Sequence, residues 1–565
     1  MFSIAKKKPE LKIIKLGAEV GATKNLTVYE CGDDIIMVDY GIGFPDSDLP
    51  GVDVVIPDYT YLIDNQEKIR GLIITHGHED HFGAVPYLLE EINVPIYCSD
   101  LVEGFIRKRI EDRTKGDVSG VSFHRLAANE PDIVLGNFSI SAFKVNHSVP
   151  GSLGIVIRTP QGTILHMADY KVDWSPVLDD PIDLGRIAEL GDEGVLCLLS
   201  DCLGVTHEGY SASEKSLAAT YDRIIGNAEG KGIFITTISS NISRMHQVIE
   251  IAIKHGRKIV FDGRSIKQSA EVAIALGYFP FAEDIYVDIK HTDQYRRDEL
   301  LFIVAGCYGQ PNSALYKLAH NEHKYLSLVD NDLVIFSADP GPPSSYEPVE
   351  NILHFLTVAG AEVIYSAIQE NLHVSGHGMR GDLQLVAATA RAKFHIPIGG
   401  TAAKMRAYTH MIEELGHDAE TVFELLEGET VVFNDGYAER SKPVPVRQIY
   451  VDGQSVGEIG NVVIKDREKL SDEGLFVAVV PITEDDSGFQ VAGKVQAITR
   501  GFVYVKESKA LIGRARDIVY KTIDKNTSSV TTWQAMKPLI EKDLAKFLYA
   551  ETGRRPLVVI SEVRI

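Results

Sequence analysis

Short apolar runs separated by turn residues dominate the first 200 residues of the chain. Runs of this length, rich in Val, Ile and Leu and bounded by Gly, Pro, Asn or Asp, are typical of buried strands. They predict strands at residues 26–29, 35–38, 54–56, 71–75, 94–98, 140–145, 154–159, 163–168 and 196–200. Pro160-Gln161-Gly162 separates two of these runs and predicts a hairpin. Because helical patterns do not alternate regularly with these strands, the first 200 residues indicate an α/β sandwich.

From about Ser211 the pattern changes to longer helical stretches that alternate with strands. The helices are predicted at residues 213–227, 241–255 and 265–276, and the strands at 232–237, 258–261, 301–304 and 333–337. Such alternation is typical of a parallel α/β sheet, here extending to about Gly360. The expected domains are a core in two parts (1–205 and 363–445), an α/β insertion (206–362) and a small C-terminal α/β domain (450–565).

Composition and charge exclude several classes of protein. The chain has 565 residues, 45% of them apolar, and no apolar run near the ~18 residues that a membrane span requires. Five scattered cysteines form no CxxC pair and are expected to be buried or free thiols of a reducing compartment, so we expect a cytoplasmic protein that does not bind membranes. A net charge of −22 argues against a general nucleic-acid coat, although a local basic channel including Arg107-Lys108-Arg109 remains open beside the alternative of a solvated helix face.

The run Thr75 to His81 places four potential metal ligands within six residues, directly after a predicted strand. The ligands are His76, His78, Asp80 and His81. Imidazole nitrogens and carboxylate oxygens suit zinc or manganese. His76 and His78, two residues apart, are spaced to bind one metal ion. The adjacent pair Asp80-His81 is placed to bind a second, neighbouring ion.

Three further candidate ligands follow predicted strands. They are Asp39, His147 and Asp169. Each residue alone is more typical of an ordinary turn, but their recurrence at strand ends favours a shared site. A carboxylate at Asp169 is suited to bridge two ions about 3.5–4 Å apart, as two-metal hydrolases require.

These residues resemble the signature of the metallo-β-lactamase fold. The run His373-Val374-Ser375-Gly376-His377-Gly378 is similar to the nucleic-acid-processing β-CASP branch, and further runs resemble the ribonuclease J family specifically. Those runs are Pro45 with Gly51–Asp58, Gly83–Leu89, Thr499–Val505 and Thr552–Pro556. The resemblance covers essentially the whole chain and implies an αββα sandwich with an inserted β-CASP domain and a C-terminal assembly domain.

The resemblance also implies two divalent ions, Zn²⁺ in the first place and Mn²⁺ or Mg²⁺ as alternatives. His76, His78 and His147 would bind one ion, and Asp80 and His81 the other, with Asp169 bridging. Asp39 would orient a ligand histidine without touching the ion. Asp80, Asp201 and His377 would be catalytic, His377 as the general acid and Asp201 as its support, while His373 and Ser375 would bind a substrate phosphate.

The family's activity implies cleavage of single-stranded RNA, internally and from the 5′ end, by a hydroxide that two metal ions activate. Within the insertion, Ser240, Asn241, Arg244 and Arg264 lie at strand-to-helix turns, where backbone amides bind phosphates. Plain helix caps are an equal alternative for these turns. The C-terminal domain implies a homodimer or homotetramer, and RNA-degradation partners are possible in this family.

One position departs from the family's pattern. A histidine is expected 22 residues after His377, but Gly399 stands there. Three alternatives remain open: an active enzyme whose second metal site is completed by solvent, substitution by His395, or a catalytically weakened RNA-binding subunit. A small-molecule hydrolase of the same fold is a further alternative, disfavoured by the insertion of about 155 residues, and DNA in place of RNA is another.

Overall fold

The computed structural model describes residues 8–17, 23–45, 49–114, 120–280, 284–339, 345–458, 460–485, 488–503 and 508–565. Tyr504 and Val505 of the family-like run Thr499–Val505 lie outside these residues. The chain divides into two compact units, one formed by Met1–Phe44 with Val55–Ile449, and the other by Pro45–Val54 with Tyr450–Ile565.

The predicted strands and helices coincide with regular elements to within a few residues, and the structure adds elements that the sequence did not predict. The strands are β1 Leu11–Lys15, β2 Thr27–Cys31, β3 Asp34–Val38, β4 Val54–Ile56, β5 Ile69–Ile73, β6 Ile96–Cys98, β7 Phe123–Arg125, β8 Ile133–Leu135, β9 Phe138–Lys144, β10 Leu153–Thr159, β11 Gly162–His166, β12 Val195–Asp201, β13 Ile233–Thr236, β14 Lys258–Asp262, β15 Leu300–Val304, β16 Leu333–Phe336, β17 Glu362–Ile364, β18 Phe394–Ile398, β19 Thr430–Asn434, β20 Tyr437–Ser441, β21 Ile449–Asp452, β22 Ser455–Val456, β23 Leu475–Asp485, β24 Gly488–Val491, β25 Gln496–Arg500 and β26 Leu557–Arg564. The α-helices are α1 Thr60–Asp64, α2 Glu79–Phe82, α3 Val85–Glu91, α4 Asp100–Thr114, α5 Leu184–Glu193, α6 Ala218–Gly226, α7 Ile242–Lys254, α8 Arg264–Ala275, α9 Ala314–Ala319, α10 Tyr346–Val358, α11 Arg380–Ala390, α12 Ala402–Glu414, α13 Asn461–Glu473, α14 Lys509–Asn526 and α15 Trp533–Thr552.

Two sheets packed on one apolar cluster form the core of the first unit. One sheet has the order β20-β19-β1-β2-β3-β5-β6-β7 and the other the order β18-β12-β11-β10-β9-β8. Both sheets contribute alternate apolar side chains to the cluster, for example Ile13 and Tyr29 from the first and Ile155 and Ile396 from the second. Helices α5, α11 and α12 cover the outer face of the second sheet. The sandwich predicted from the sequence is therefore confirmed, including the β10–β11 hairpin around Gln161.

A five-stranded parallel sheet of order β14-β15-β13-β16-β17 lies between β12 and β18 in the sequence. After it the chain returns to the sandwich, where β18 pairs in parallel with β12. Because parallel β3 and β5 end at one edge of their sheet, and β11, β12 and β18 end at one edge of theirs, the residues that follow these strands gather in one place.

The second unit has its own sheet and apolar core. Strand β23 pairs in parallel with β26 and antiparallel with β24 and β25. Helices α14 and α15 pack on this sheet through buried residues that include Val519, Trp533 and Leu544. Across the described part of the chain, no helix has the length and hydropathy to cross a bilayer. All five cysteines are free and buried, as expected.

Candidate metal centre

The metal-binding run begins where β5 ends, beside the end of β3. Asp39 adopts a left-handed conformation (φ 63°) directly after β3, which turns its carboxylate toward the neighbouring strand. That carboxylate accepts hydrogen bonds from the Thr75 backbone nitrogen at 2.8 Å and from Thr75 Oγ1 at 2.9 Å. The loop carrying His76 to His81 is therefore fixed to β3 at its first residue.

Five imidazole rings form one cluster at this edge. The ring of His76 lies 4.0 Å from that of His81 and 4.8 Å from that of His147, centroid to centroid. His78 lies 4.8 Å from His147, and His377 lies 5.0 Å from His147. Among the described residues, ligand atoms of three sets converge within 4.8 Å: His76 with His78 and His147, His76 with His81 and Asp169, and His147 with Asp169 and His377.

Asp169 lies between the two groups of predicted ligands. Its Oδ2 is 3.2 Å from His81 Nε2 and 3.8 Å from His76 Nε2. Asp80 Oδ2 is 3.5 Å from the same nitrogen of His81, but Asp80 belongs to none of the three converging sets. The carboxylate predicted to bridge is thus near ligand atoms of both groups.

Three of the histidines have Nδ1 engaged by an acceptor. His81 donates to Asp39 Oδ2 at 2.7 Å, and His147 donates to the Gly376 carbonyl at 2.7 Å. His76 Nδ1 lies 3.0 Å from Thr75 Oγ1, and because this hydroxyl gives its single proton to Asp39, the His76 ring is the donor. Each ring is consequently left with a free Nε2 lone pair that could bind a metal, an arrangement usual for ligand histidines.

The donor set fits a divalent metal. His76 Nε2 is buried and has no hydrogen-bond partner in the structure, a costly condition that an ion at this position relieves. Burial, reinforced by neighbouring imidazoles, lowers the pKa of His78 and of His147 to about 3. Neutral imidazoles with free lone pairs beside carboxylates are the ligands that zinc and manganese select.

Both ring nitrogens of His78, a predicted metal ligand, lie close to serine hydroxyls. Nε2 lies 2.6 Å from Ser148 Oγ, and Nδ1 lies 2.8 Å from Ser240 Oγ. Ser240, predicted to bind substrate, thus contacts a predicted metal ligand directly. The inserted α/β domain therefore contacts the histidine cluster through the Ser240 hydroxyl.

His377 lies beside His147 in the cluster, and its ring is hydrogen-bonded to Asp201. Its Nδ1 donates to Asp201 Oδ2 at 2.7 Å, and its Nε2 is 4.0 Å from Asp169 Oδ2. Burial opposes protonation of the ring, but the Asp201 and Asp169 carboxylates outweigh it and raise the pKa of His377 to about 9. The Asp201 carboxylate thus orients the His377 ring, and Nε2 of that ring faces Asp169.

The segment carrying His373 and Ser375 is held by a buried arginine. Arg244 is 0% exposed and directs its guanidinium to the Glu214 carboxylate at 2.8 and 2.9 Å. It also donates to His373 Nδ1 at 2.8 Å and to the Val374 carbonyl at 3.1 Å. Ser375 Oγ accepts from the His377 backbone nitrogen at 3.0 Å. These bonds fix the backbone that carries His377.

The remaining predicted substrate-binding residues occupy different surroundings. Asn241 is buried, and its side chain caps α7 by accepting from the Arg244 backbone nitrogen at 3.0 Å, so the helix-cap alternative describes it. Arg264 is exposed in the first turn of α8. A cleft of about 50 Å³ is lined in part by their sequence neighbours Ser240 and Ser265, together with Gly77, Lys108 and Arg109. Lys108 and Arg109 also pair with Glu271 and Glu79, at 3.1 and 3.4 Å.

Gly399 lies at the edge of the centre, as its position after β18 implies. A Cβ there would lie 3.5 Å from Asp201 Oδ1 and 3.7 Å from Asp169 Oδ1, so a side chain at this position would enter the site. His395 does not substitute for the missing imidazole. It lies four residues earlier on β18, on the face opposite the sandwich core, with its ring 5.0 Å from that of His417 and 6.4 Å from that of Tyr408.

Three groups at the centre were not identified from the sequence. They are the Asn25 amide, 3.0 Å from His81 Nε2, the Ser148 hydroxyl and the Gly376 carbonyl. Adjacency to His147 was an available signal for Ser148. No signal existed for a backbone carbonyl, and Asn25 precedes β2, far from every motif in the chain.

Comparison with known proteins agrees with this geometry. Family models match at residues 23–226 (metallo-beta-lactamase superfamily), 230–356 (ribonuclease J, beta-CASP domain) and 462–565 (ribonuclease J C-terminal domain). Ribonuclease J 1 of Streptococcus pyogenes serotype M3 is 34% identical over 99% of this chain and 98% of its own. Ribonuclease J2 of Bacillus subtilis strain 168 is 33% identical over 97% of this chain and 98% of its own. The chain belongs to the ribonuclease J family.

As a ribonuclease J, the chain is a metal-dependent ribonuclease with a metallo-β-lactamase core, a β-CASP domain and a C-terminal domain. The sequence-based predictions of fold and of a metal-dependent ribonuclease are confirmed, and the comparisons do not favour the weakened RNA-binding subunit over the enzyme. A solved protein of unknown function from Enterococcus faecalis V583 shares the fold at 15% identity, with a TM-score of 0.52 over 75% of this chain and all of its own.

Proposed function

We propose that this ribonuclease J hydrolyses single-stranded RNA with two divalent ions, proceeding from the 5′ end or cutting internally. The observation that carries the proposal is the convergence of three overlapping ligand sets, namely His76 with His78 and His147, His76 with His81 and Asp169, and His147 with Asp169 and His377. His76, His78 and His147 would hold one ion and Asp80 and His81 the other, with Asp169 between them. Such ions supply a water of lowered pKa and stabilise charge on phosphoryl oxygens.

The side chains around the ions have separate roles in this proposal. Asp201 orients His377 through the 2.7 Å bond to Nδ1, which leaves Nε2 to give a proton to the departing 3′ oxygen. Nδ1 of His373 accepts from Arg244, so its Nε2 is left to contact a phosphate. Ser375 lies two residues from both histidines, where its hydroxyl is available to the same phosphate.

Basic side chains around the small cleft beside Ser240 support the approach of an unpaired strand over this surface. Lys108 and Arg109 line it, and Arg264 is exposed in the adjoining helix α8. Their charges are suited to a phosphate backbone, which gives binding without sequence preference. We infer that RNA is recognised through its phosphate backbone and by stacking of its bases, and not through its sequence.

A digestion of labelled single-stranded RNA tests this function. The RNA carries a 5′-monophosphate or a 5′-hydroxyl, a DNA of the same sequence serves as control, and Mn²⁺, Mg²⁺ or Zn²⁺ is titrated in each reaction. Mononucleotide release from the labelled end reports end-directed cleavage, and longer labelled products report internal cleavage. Equal cleavage of the DNA, or RNA binding without cleavage at every metal concentration, contradicts the proposal. Metal analysis of the purified protein identifies the native ion, for which the histidine-rich donor set favours Zn²⁺.

The C-terminal unit is proposed to assemble the chain into a homodimer or homotetramer. Among the described strands, β26 pairs with β23 alone; Val559 and Val563 within it, and Ile565 directly after it, are exposed. An open apolar strand edge favours association with another chain, a second copy or an RNA-degradation partner. Light scattering of the full chain and of a chain ending at Pro443 tests this, because the shorter chain is expected to be of lower order.

A further inference from the structure

An open groove of about 340 Å³ lies between α14 and α15 of the second unit. Each helix contributes one face to the groove, because residues three or four apart lie on the same side of an α-helix. The lining includes Lys521, Thr522 and Lys525 of α14 and Asp543, Lys546 and Phe547 of α15.

The three lysines of the groove have ammonium groups that are free to bind an anionic ligand. Lys521, Lys525 and Lys546 are exposed, and none of them forms an ion pair with another described residue. Arg514 of α14, by contrast, is paired with Glu551 of α15 at 2.7 Å. The positive charge of the groove is therefore not neutralised by the helices that form it.

The floor of the groove is fixed by contacts between the two helices. Thr522 Oγ1 donates to Asp543 Oδ2 at 3.0 Å, which engages the acidic side chain of the groove. Phe547 is half-buried beside it, with the Arg514 guanidinium 5.8 Å from the centre of its ring. Basic side chains around an aromatic ring are the combination with which proteins bind single-stranded nucleic acids independently of sequence.

Basic residues are concentrated in the part of the chain that forms this groove. Residues 491–565 contain 14 Lys and Arg against 7 Asp and Glu, whereas residues 1–490 contain 43 against 72. This region therefore has a net charge of +7 in a chain whose total is −22. A local excess of this kind attracts a polyanion to one region of a protein that is otherwise acidic.

We propose that the groove between α14 and α15 is a second binding site for single-stranded RNA, which holds backbone phosphates of the substrate on Lys521, Lys525 and Lys546. Lys521 and Lys525 are four residues apart, with about 5–6 Å between their Cβ atoms, and Lys546 adds a third charge from the neighbouring helix. Phe547 offers a base a surface for stacking. Two linked sites hold one strand more tightly than either site alone. This inference rests on single-stranded RNA as the substrate in the proposed function.

The salt dependence of RNA binding by the full chain tests the inference. The anisotropy of a labelled single-stranded RNA is measured between about 50 and 200 mM KCl, with EDTA present to prevent metal-dependent cleavage. The groove variant carries Lys521→Gln, Lys525→Gln and Lys546→Gln. A matched control removes three exposed lysines of the same unit outside the groove, by Lys465→Gln, Lys469→Gln and Lys494→Gln.

The expected change follows from the number of phosphate contacts. Each contact with a single strand contributes about 0.7 to the slope of log affinity against log salt, so three lost contacts lower the slope by about 2. Over the fourfold range of salt, the groove variant should therefore lose about 20-fold less affinity than the unchanged chain. We expect the control to keep the slope of the unchanged chain. An unchanged slope in the groove variant, or an equal fall in the control, overturns the inference.

Two further measurements separate the alternatives. Arginine at the same three positions keeps the charge and should keep the slope; loss of the slope in that variant overturns the inference. Light scattering reports whether the groove joins two copies of the chain, and a lower oligomeric order of the glutamine variant with unchanged RNA binding also overturns it. If the unchanged chain neither binds nor cleaves single-stranded RNA, the proposed function itself is refuted.

Discussion

Replacing Arg244 by methionine should destabilise the chain and stop RNA cleavage. The Arg244 guanidinium donates to two oxygens of Glu214, to the Ser337 and Val374 carbonyls and to His373. Methionine leaves the Glu214 carboxylate buried without its partner, since that side chain is 6% exposed. Breaking a buried pair in this way costs about 3–5 kcal/mol of the free energy of unfolding.

The effect on cleavage follows from the other bonds of Arg244. Without them, His373 and the Val374 backbone lose the donor that fixes the segment leading to His377, and general acid catalysis contributes roughly 10²–10⁴-fold to rate. The assays are urea unfolding and cleavage of labelled RNA at saturating Mn²⁺. Arg257→Met is the control, because Arg257 is a buried arginine of the same domain whose guanidinium, among the described residues, donates to the backbone carbonyls of Ala228, Lys231 and Leu300.

A double-mutant cycle with Glu214→Gln decides whether the reasoning is correct. The two single changes should each destabilise the chain, and the double change should cost less than their sum, with a coupling of roughly 0.5–3 kcal/mol. We expect Arg257→Met to lower the melting temperature while cleavage below that temperature persists. A coupling near zero, or loss of cleavage in the control as large as in Arg244→Met, refutes the reasoning.

Three further predictions concern the metal centre. Asp39→Asn removes the anionic acceptor of the His81 ring and should weaken Mn²⁺ binding about 10–100-fold in a calorimetric titration, whereas unchanged affinity would contradict the orienting role. Gly376→Ala would place a Cβ 2.7 Å from His147 Cε1, so we expect loss of one bound ion by metal analysis, and two ions at normal affinity would show that the ring has room to move. His395→Leu should retain both ions and cleavage, because its ring lies against Tyr408 and His417; loss of either property would return His395 to the ligand set.

Much of the fold follows from the apolar pattern, but helix α4 does not. Its sequence carries many charges and has Gly104 near its centre, a residue that costs about 1 kcal/mol in a helix interior relative to alanine. The structure gives the reason for the glycine, since a Cβ at Gly104 would lie 2.5 Å from Val272 Cγ1 of α8. Close approach to α8 therefore requires a residue that weakens the helical pattern, and this contact is not visible in the sequence.

The candidate ligands were predictable because their side chains are chemically distinctive and follow recognisable strands. The atoms that orient them were harder to predict. Ser240 bonds to His78 across 162 residues of sequence, and the Gly376 carbonyl bonds to His147 across 229. A serine or a carbonyl carries no signature of such a partner, so the tertiary fold alone reveals it.

The bond from His147 to the Gly376 carbonyl has a consequence for the timing of activity. During synthesis, at about 5–20 residues per second, the 229 residues between these groups take roughly 10–45 s to be added. Until then His147 is present in the nascent chain but lacks the acceptor that orients its ring. The inserted domain therefore delays completion of the centre, and a nascent chain that has not yet reached Gly376 does not hold a finished nuclease site.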